Sequence, residues 1–177
     1  MTNDEGWHDA ALRFLAARPR SVAEVRQRLR RRGAADEAVA EVVARLREEG
    51  LLDDAAFAAY WRENREAFRP RGRRLLQAEL RQKGVTAEVA RAALTDLDED
   101  EQAYRAGLRR VRSVAGEDEV RFRRRLEDFL RRRGFGYEVA VQAVRRLWAE
   151  AGGEGAPDPG WESEHLSPGT LDKGMGV

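Results

Sequence analysis

The sequence contains no cysteine and only two histidines. The absence of cysteine excludes disulfides, thiolate nucleophiles and cysteine-based metal sites. Neither His8 nor His165 has an acidic residue or a second histidine at metal-ligand spacing within a predicted helix, so we expect no histidine-based metal or acid–base site. The adjacent carboxylates Asp53 and Asp54 fit a helix cap better than a metal site. We therefore predict no catalytic residues, no metal and no cofactor.

Long apolar runs are also missing. The longest, Ala55–Trp61, has seven residues, whereas a membrane-spanning helix needs roughly 20. The first ten residues are acidic and polar, unlike a signal peptide. We therefore predict a soluble cytoplasmic protein that makes no membrane contact.

Patterns typical of β-strands are scarce as well. No alternating apolar run occurs, whereas Ala, Leu, Arg and Glu, which favour helices, recur throughout the 177 residues. The predicted fold class is therefore all-α.

A basic segment that ends in glycine occurs three times. The copies are Leu29–Gly33, Leu80–Gly84 and Leu130–Gly134, and their glycines are 51 and 50 residues apart. An apolar residue also stands eight positions before each glycine, so both apolar positions share one helical face. Glycine is the usual residue just past a helix end. An amphipathic pattern follows each glycine, and each copy has room for a helix before the basic one, so we interpret each copy as three helices.

This interpretation divides the chain into four parts. Residues 1–51, 52–97 and 98–150 are predicted to form three tandem three-helix repeats. Residues 151–177 are dense in Gly and Pro and carry five acidic residues against one lysine, so we predict a disordered acidic tail.

Several helix starts can be assigned from capping residues. Ser21 and Glu24 have the spacing of a capping box at the start of the first basic helix. Asp9, Asp36 and Thr86 are predicted to cap three other helices, and the first helix is expected to run close to the proline at position 19.

Positive charge is concentrated in the middle helix of each repeat. Three aligned columns, at thirteen, three and one positions before the glycine, are basic in all three copies. Any single arginine fits an ordinary solvated surface, but the pattern as a whole predicts an extended positive surface for a polyanion. The predicted partner- or DNA-binding residues are Arg20, Arg30, Arg32, Arg71, Arg73, Arg74, Arg81, Lys83, Arg121, Arg123, Arg124, Arg131 and Arg133.

The order and spacing of these motifs resemble the RecX family of regulators of the RecA recombinase. The resemblance covers about residues 9–149, is looser in the third repeat, and leaves out the tail. The residues that carry it are Arg20-Ser21-x-x-Glu24 with Leu29 and Gly33, Leu46-x-x-x-Gly50-Leu51-Leu52-Asp53-Asp54-x-x-Phe57-Ala58-x-x-Trp61, Arg65, Gly72, Glu79-Leu80, Lys83-Gly84-Val85 and Arg133-Gly134-Phe135.

The resemblance implies an elongated, curved array of three repeats that is not an enzyme. It implies binding along the groove of the RecA–single-stranded-DNA filament. There the protein would limit filament extension, ATP hydrolysis, strand exchange and co-protease activity, and so regulate DNA repair and the SOS response. We expect a monomer, and weak direct binding to naked DNA stays open.

Two other functions remain compatible with the residues. In a stand-alone DNA-binding protein with helix-turn-helix-like units, each basic helix would read the major groove, although these helices lack the Asn, Gln and Ser interleaving that suits base edges. The other is a purely structural adaptor. A binding assay would separate the three functions. Binding to naked duplex would favour the stand-alone DNA-binding protein, binding to recombinase-coated single strands would favour the recombinase regulator, and binding to neither would favour the adaptor.

Overall fold

The computed structural model describes residues 3–114 and 116–152, with side chains from Gly6 onward. Within these residues the chain forms nine helices and no strand, which confirms the all-α prediction. The helices are α1 (Asn3–Leu15), α2 (Val22–Arg31), α3 (Asp36–Glu48), α4 (Asp54–Phe68), α5 (Arg73–Gln82), α6 (Ala87–Ala93), α7 (Glu99–Val111), α8 (Glu119–Arg132) and α9 (Tyr137–Glu150).

The helices are grouped in threes, and the closest helix packing lies within each group. Each group has a separate hydrophobic core, to which the apolar positions four and eight residues before each repeated glycine contribute. The groups follow one another as an elongated, curved array of three-helix repeats, as predicted. Deeply buried leucines and valines of the three cores include Val25, Leu29, Leu46, Leu76, Leu80, Leu94, Leu126, Leu130 and Val144.

The repeated glycines end α2, α5 and α8 in the same way. Gly33, Gly84 and Gly134 have φ values of +92°, +79° and +87°, the left-handed region that favours glycine. In each copy the glycine amide donates to the carbonyl three residues earlier, and the next amide donates to the carbonyl five residues earlier. This is the Schellman arrangement, which satisfies carbonyls left free at a helix end.

The predicted N-terminal caps are partly confirmed. Both hydrogen bonds of the Ser21–Glu24 capping box are present, and Thr86 accepts from the amide of Val89. The prediction for Asp9 is wrong, because α1 begins at Asn3 and Asp9 lies inside it. The prediction for Asp36 is also wrong: its carboxylate accepts from Arg30 at 2.7 Å instead of capping α3.

The predicted acidic tail lies outside the described residues, except for Ala151 and Gly152, which form a turn after α9. Across the described ranges no helix has the length and apolar character needed to cross a membrane.

Candidate functional site

The basic helices α2 and α5 meet end to end at the junction of the first two repeats. The buried hydroxyl of Ser21, at the start of α2, donates to the carbonyl of Lys83, at the end of α5, over 2.6 Å. The Lys83 ammonium pairs with Glu24 at 2.9 Å. A Cβ on Gly84 would stand 2.3 Å from the Cβ of Ala23, so the glycine permits the close approach.

The same arrangement recurs between α5 and α8. The amide of Gly72, just before α5, donates to the carbonyl of Arg133, just after α8, over 2.9 Å. A Cβ on Gly72 would stand 2.2 Å from the carbonyl oxygen of Gly134, and one on Gly134 would stand 2.4 Å from the Cβ of Leu75. Glycine at these positions therefore lets the two helix ends touch.

Because of these junctions, the three basic helices form one ridge. The C-terminus of α8 faces the N-terminus of α5, and the C-terminus of α5 faces the N-terminus of α2. Partial negative charge at each helix end therefore meets partial positive charge at the next helix start, which is favourable. The helices that carry the predicted basic residues are thus joined end to end by contacts to the backbone.

A groove of about 600 Å³ lies over the α2–α5 junction, and we call it the first groove. It presents five cationic side chains and one carboxylate, that of Glu24, which already pairs with Lys83. The residues that line it are Ala23, Glu24, Arg26, Gln27, Arg30, Arg31, Arg81, Gln82, Lys83 and Gly84.

A second groove, of about 420 Å³, lies over the α5–α8 junction. Its one carboxylate, Glu99, is engaged by Arg73. Both grooves have room for several hydrated phosphate or carboxylate groups, since one water takes up about 30 Å³. The residues that line the second groove are Arg73, Arg74, Gln77, Glu99, Arg131, Gly134, Phe135, Gly136 and Tyr137.

Arg81 and Arg131 occupy equivalent places in the two grooves. Both stand three residues before the repeated glycine, and both are exposed, with no ion-pair partner among the described residues. Arg30, their counterpart in the first repeat, also lines the first groove but pairs with Asp36. An unpaired guanidinium offers a fork of donors to a phosphate or carboxylate.

Several of the predicted contact residues hold the fold instead. Arg71 contacts the buried carboxylate of Glu79 within its own repeat. Arg73 donates to the carbonyls of Leu94 and Leu97, and its amide donates to Glu99 at 2.8 Å. Both arginines are half-buried, so their guanidinium groups are largely occupied by contacts within the protein.

Arg20 and Arg133 are also partly withdrawn from solvent. The guanidinium of Arg20 lies 4.0 Å from the centre of the Phe14 ring, and that of Arg133 lies 4.9 Å from the centre of the Phe129 ring. Burial, followed by the nearby Arg69 and Arg109, lowers the pKa of Arg133. Lys83, which aligns with Arg133, is held in the first junction by its ion pair with Glu24.

The third repeat does not place Arg121 where the alignment predicts. Arg20 and Arg71 precede their basic helices, whereas α8 begins one turn earlier, at Glu119, and Arg121 lies inside it beside Asp118. Arg123 pairs with Glu119 at 2.7 Å. Asp118 caps this longer helix by accepting a hydrogen bond from the amide of Arg121.

The remaining predicted residues are accessible. Arg32, Arg74 and Arg124 are exposed and have no ion-pair partner in the described part of the chain. Arg74 lines the second groove, whereas Arg32 and Arg124 line neither. The geometry therefore favours, as partner-binding residues, the accessible arginines that line a groove.

Sequence analysis missed Arg26 and Arg31, which are exposed and line the first groove. They were overlooked because their aligned columns are not basic in all three copies: Arg26 aligns with Gln77 and Glu127. The available signal was the spacing of four between Arg26 and Arg30, which places both on one helical face. We define the basic strip as Arg26, Arg30, Arg31, Arg74, Arg81 and Arg131.

The strip suits binding of anions through charge-assisted hydrogen bonds. The strip itself consists of arginines, and the two carboxylates beside it, Glu24 and Glu99, are already engaged by Lys83 and Arg73. Within the described residues no group of three or more His, Asp or Glu side chains could hold a metal ion.

Comparison with known proteins agrees with this architecture. Models of the first, second and third three-helix domains of RecX match residues 8–46, 53–94 and 98–144. A regulatory protein RecX from Chlorobium limicola is 38% identical over 138 residues, which are 78% of this chain and 87% of that protein. The regulatory protein RecX of Mycolicibacterium smegmatis is 40% identical over 150 residues, 81% of this chain and 80% of the relative.

Solved structures show the same fold. The crystal structure of RecX from Lactobacillus salivarius superposes with a TM-score of 0.73 at 18% identity, and covers 83% of this chain and 98% of that one. A second crystal structure of a regulatory protein RecX gives a TM-score of 0.68 at 24% identity, with 77% of this chain and 68% of that one covered. From the three matched domains and the identity over most of its length, the chain belongs to the RecX family of regulatory proteins.

Proposed function

We propose that this protein is a negative modulator of the RecA recombinase that acts without catalysis. It lays its basic strip along the groove of the RecA–single-stranded-DNA filament in the cytoplasm, as a monomer. There it limits filament extension, ATP hydrolysis, strand exchange and co-protease activity, and so restrains DNA repair and the SOS response. Membership of a family of regulatory proteins and the absence of catalytic chemistry in the strip support this proposal.

One observation carries the proposal: unpaired arginines recur one repeat apart on helices joined end to end. Arg81 and Arg131 occupy equivalent grooves, so the molecule offers the same contact twice along its length. A filament is a polymer that presents the same anionic groups at regular intervals. A rigid array with regularly placed cations suits such a partner better than it suits a small ligand.

The geometry disfavours the helix-turn-helix alternative. A recognition helix enters the major groove with its N-terminal residues against base edges. In this protein the N-terminus of α5 is in contact with the end of α8, and the N-terminus of α2 is in contact with the end of α5. The starts of these two helices therefore pack against a neighbouring helix end and cannot enter a major groove. A polyanion meets the exposed sides of the helices instead, where Arg74 remains accessible.

The proposal is tested by reversing charge on the strip. We expect the combined substitution Arg74→Glu, Arg81→Glu and Arg131→Glu to abolish inhibition of RecA ATP hydrolysis on single-stranded DNA, because three attractive contacts become repulsive. Arg73 is left unchanged because it donates to carbonyls of its own repeat and to Glu99 at the start of the third repeat. The measurement is the RecA ATPase rate against inhibitor concentration, with helical content followed by circular dichroism.

The matched control reverses three exposed arginines that line neither groove, Arg13, Arg47 and Arg112. It changes net charge equally and should inhibit as well as the natural chain. Equal loss in both variants would mean that net charge, not the strip, is responsible. Full inhibition by the first variant would remove the strip from the interface.

A further inference from the structure

We propose that the acidic C-terminal segment, residues 153–177, folds back over the second groove and competes there with the outside partner. This inference rests on the proposed function, since it concerns regulation of the same strip. It assigns an occupant to the groove in the free protein.

Charge complementarity is the first argument. Residues 153–177 contain five carboxylates and one lysine, whereas the second groove presents Arg74 and Arg131 unpaired. The carboxylates Glu162 and Glu164 stand two residues apart, beside Trp161. Such a pair can accept from two guanidinium groups, and an indole ring can pack on an arginine plane.

Reach is the second argument. The start of α9 contributes Gly136 and Tyr137 to the second groove, and the 14-residue helix carries the chain roughly 21 Å away from it. From Gly152, the ten to twelve residues that lead to Glu162 and Glu164 span up to about 40 Å when extended. The segment is therefore longer than the distance back to the groove, so these carboxylates can reach it without full extension of the chain.

Reach also selects between the two grooves. The first groove lies a further helix away, beyond α5, which adds about 15 Å. Among the tail carboxylates only Asp172 follows Glu164, and Lys173 is next to it. The chain from Gly152 to Glu162 and Glu164 would have to be almost fully extended to reach the first groove, so the concentrated negative charge favours the second groove.

A spin label tests the contact directly, because the chain has no cysteine of its own. A nitroxide on Ser163→Cys should broaden the amide signals of Gln77 and Arg131 in the full chain, and should leave those of Val39 and Val43, in the first repeat, sharp. Added salt at about 0.5 M should restore the signals, since screening then acts within a few ångströms. Uniformly sharp signals at low salt would overturn the proposal.

Two variants of the labelled chain serve as a matched pair. Glu162→Gln with Glu164→Gln should remove the broadening, whereas Glu154→Gln with Asp172→Asn should retain it. A mixture of labelled chain without nitrogen-15 and unlabelled chain with nitrogen-15 should show no broadening. Broadening in that mixture would place the tail of a second copy in the groove and contradict the proposal.

Competition is measured with a fluorescent oligothymidylate as the polyanion. At 50 mM salt the chain ending at Gly152 should bind about three- to fivefold more tightly than the full chain, because a tethered competitor acts at millimolar effective concentration. In the Arg74→Glu, Arg131→Glu background, removing the tail should change nothing.

The two proposals fail differently. Broadening at the groove without inhibition of RecA ATP hydrolysis by either chain would leave the tail contact standing and contradict the role of the strip. Tight binding with equal affinity for both chains and no broadening would support the strip and overturn the tail contact.

Discussion

At the residue scale, the most consequential side chain outside the strip is the carboxylate of Glu79. It is 8% exposed and accepts from the indole of Trp61 at 2.7 Å and from Arg65 at 2.9 Å, and it also contacts Arg71. The Arg65 guanidinium lies 4.3 Å from the centre of the Trp61 ring. A buried charge is tolerable only when it is this fully paired.

We expect Glu79→Gln to lower the free energy of unfolding by about 3 kcal/mol, because two half-buried guanidinium groups lose their counter-charge. Urea unfolding followed by circular dichroism measures the change. Glu63→Gln, at an exposed position of α4 in the same repeat, is the control and should cost less than about 0.5 kcal/mol. Equal stability of the two variants would show that Glu79 does not hold this repeat together.

Glu24 is a partly buried carboxylate whose pKa is strongly lowered. Burial alone would raise the pKa, but hydrogen bonds from Arg18, Lys83 and the Ser21 amide outweigh it and lower the pKa of Glu24 to about 2. A carboxyl whose pKa is depressed by folding stabilises the protein above its unfolded value, near 4.5, and loses that contribution as pH falls towards 2.

The natural chain should therefore be more stable than Glu24→Gln at pH 7 by about 1 to 2 kcal/mol, a range that allows for solvent screening of a partly exposed group. The difference should shrink progressively between pH 4.5 and pH 2. Urea midpoints of both proteins at several pH values provide the comparison. A difference that stays constant down to pH 2 would be inconsistent with an ionised, paired Glu24.

At the element scale, the ends of α2, α5 and α8 serve two purposes. The repeated glycine terminates each helix, and the glycines of the later repeats also let the preceding basic helix approach. Gly33, at the free end of the ridge, has nothing within 4 Å of its missing Cβ, whereas Gly84 faces Ala23. Helix termination and repeat stacking can therefore be separated by mutation.

Gly33→Ala should cost about 1 kcal/mol, the strain of a side chain at positive φ. Gly84→Ala should cost a further 1 to 3 kcal/mol, because its Cβ would also collide with Ala23 at the first junction. Urea unfolding gives both values, and small-angle scattering detects a change of molecular shape that is expected only for Gly84→Ala. Equal costs with unchanged scattering would mean that the junction adapts freely.

At the scale of the whole molecule, the contacts between repeats determine how the strip is presented. The closest helix packing lies within the repeats, so a few hydrogen bonds and ion pairs orient one repeat on the next. Those contacts set the spacing of Arg81 and Arg131. Spacing, more than net charge, should govern which polyanion fits.

Binding of oligothymidylate to the full chain should weaken linearly on a logarithmic salt axis. Replacing both Arg81 and Arg131 by Gln should make the slope shallower by about 1.4, since each lost phosphate contact contributes about 0.7 on a single strand. Fluorescence anisotropy titrations between 50 and 200 mM salt give the slopes. Replacing Arg13 and Arg47 by Gln instead should leave the slope unchanged, and a shallower slope there would indicate diffuse charge effects.

Much of the fold was predictable because its signals are local. Helical spacing of leucines, the capping box at Ser21 and the glycines at three helix ends depend on residues within one or two turns. The two wrong caps show the limit: Asp36 lies at a helix start but is drawn to Arg30, a competitor from the preceding helix. Sequence rules for helix caps do not take such competing hydrogen-bond partners from another helix into account.

The candidate site was less predictable, because columns of an alignment do not report what lies across a junction. Arg71 and Arg81 look alike in sequence, yet Arg71 is engaged by Glu79 whereas Arg81 is exposed and lines a groove. Likewise Arg26 belongs to the strip although its column is not basic throughout.

The sequence by itself determined the helices, the three copies and the family, since each depends on residue order and short-range spacing along the chain. Only the tertiary structure decided which basic side chains stabilise the fold through ion pairs and which are exposed to a partner. That division depends on the end-to-end contact of α2, α5 and α8, which brings together residues such as Ser21 and Lys83, 62 positions apart in the chain.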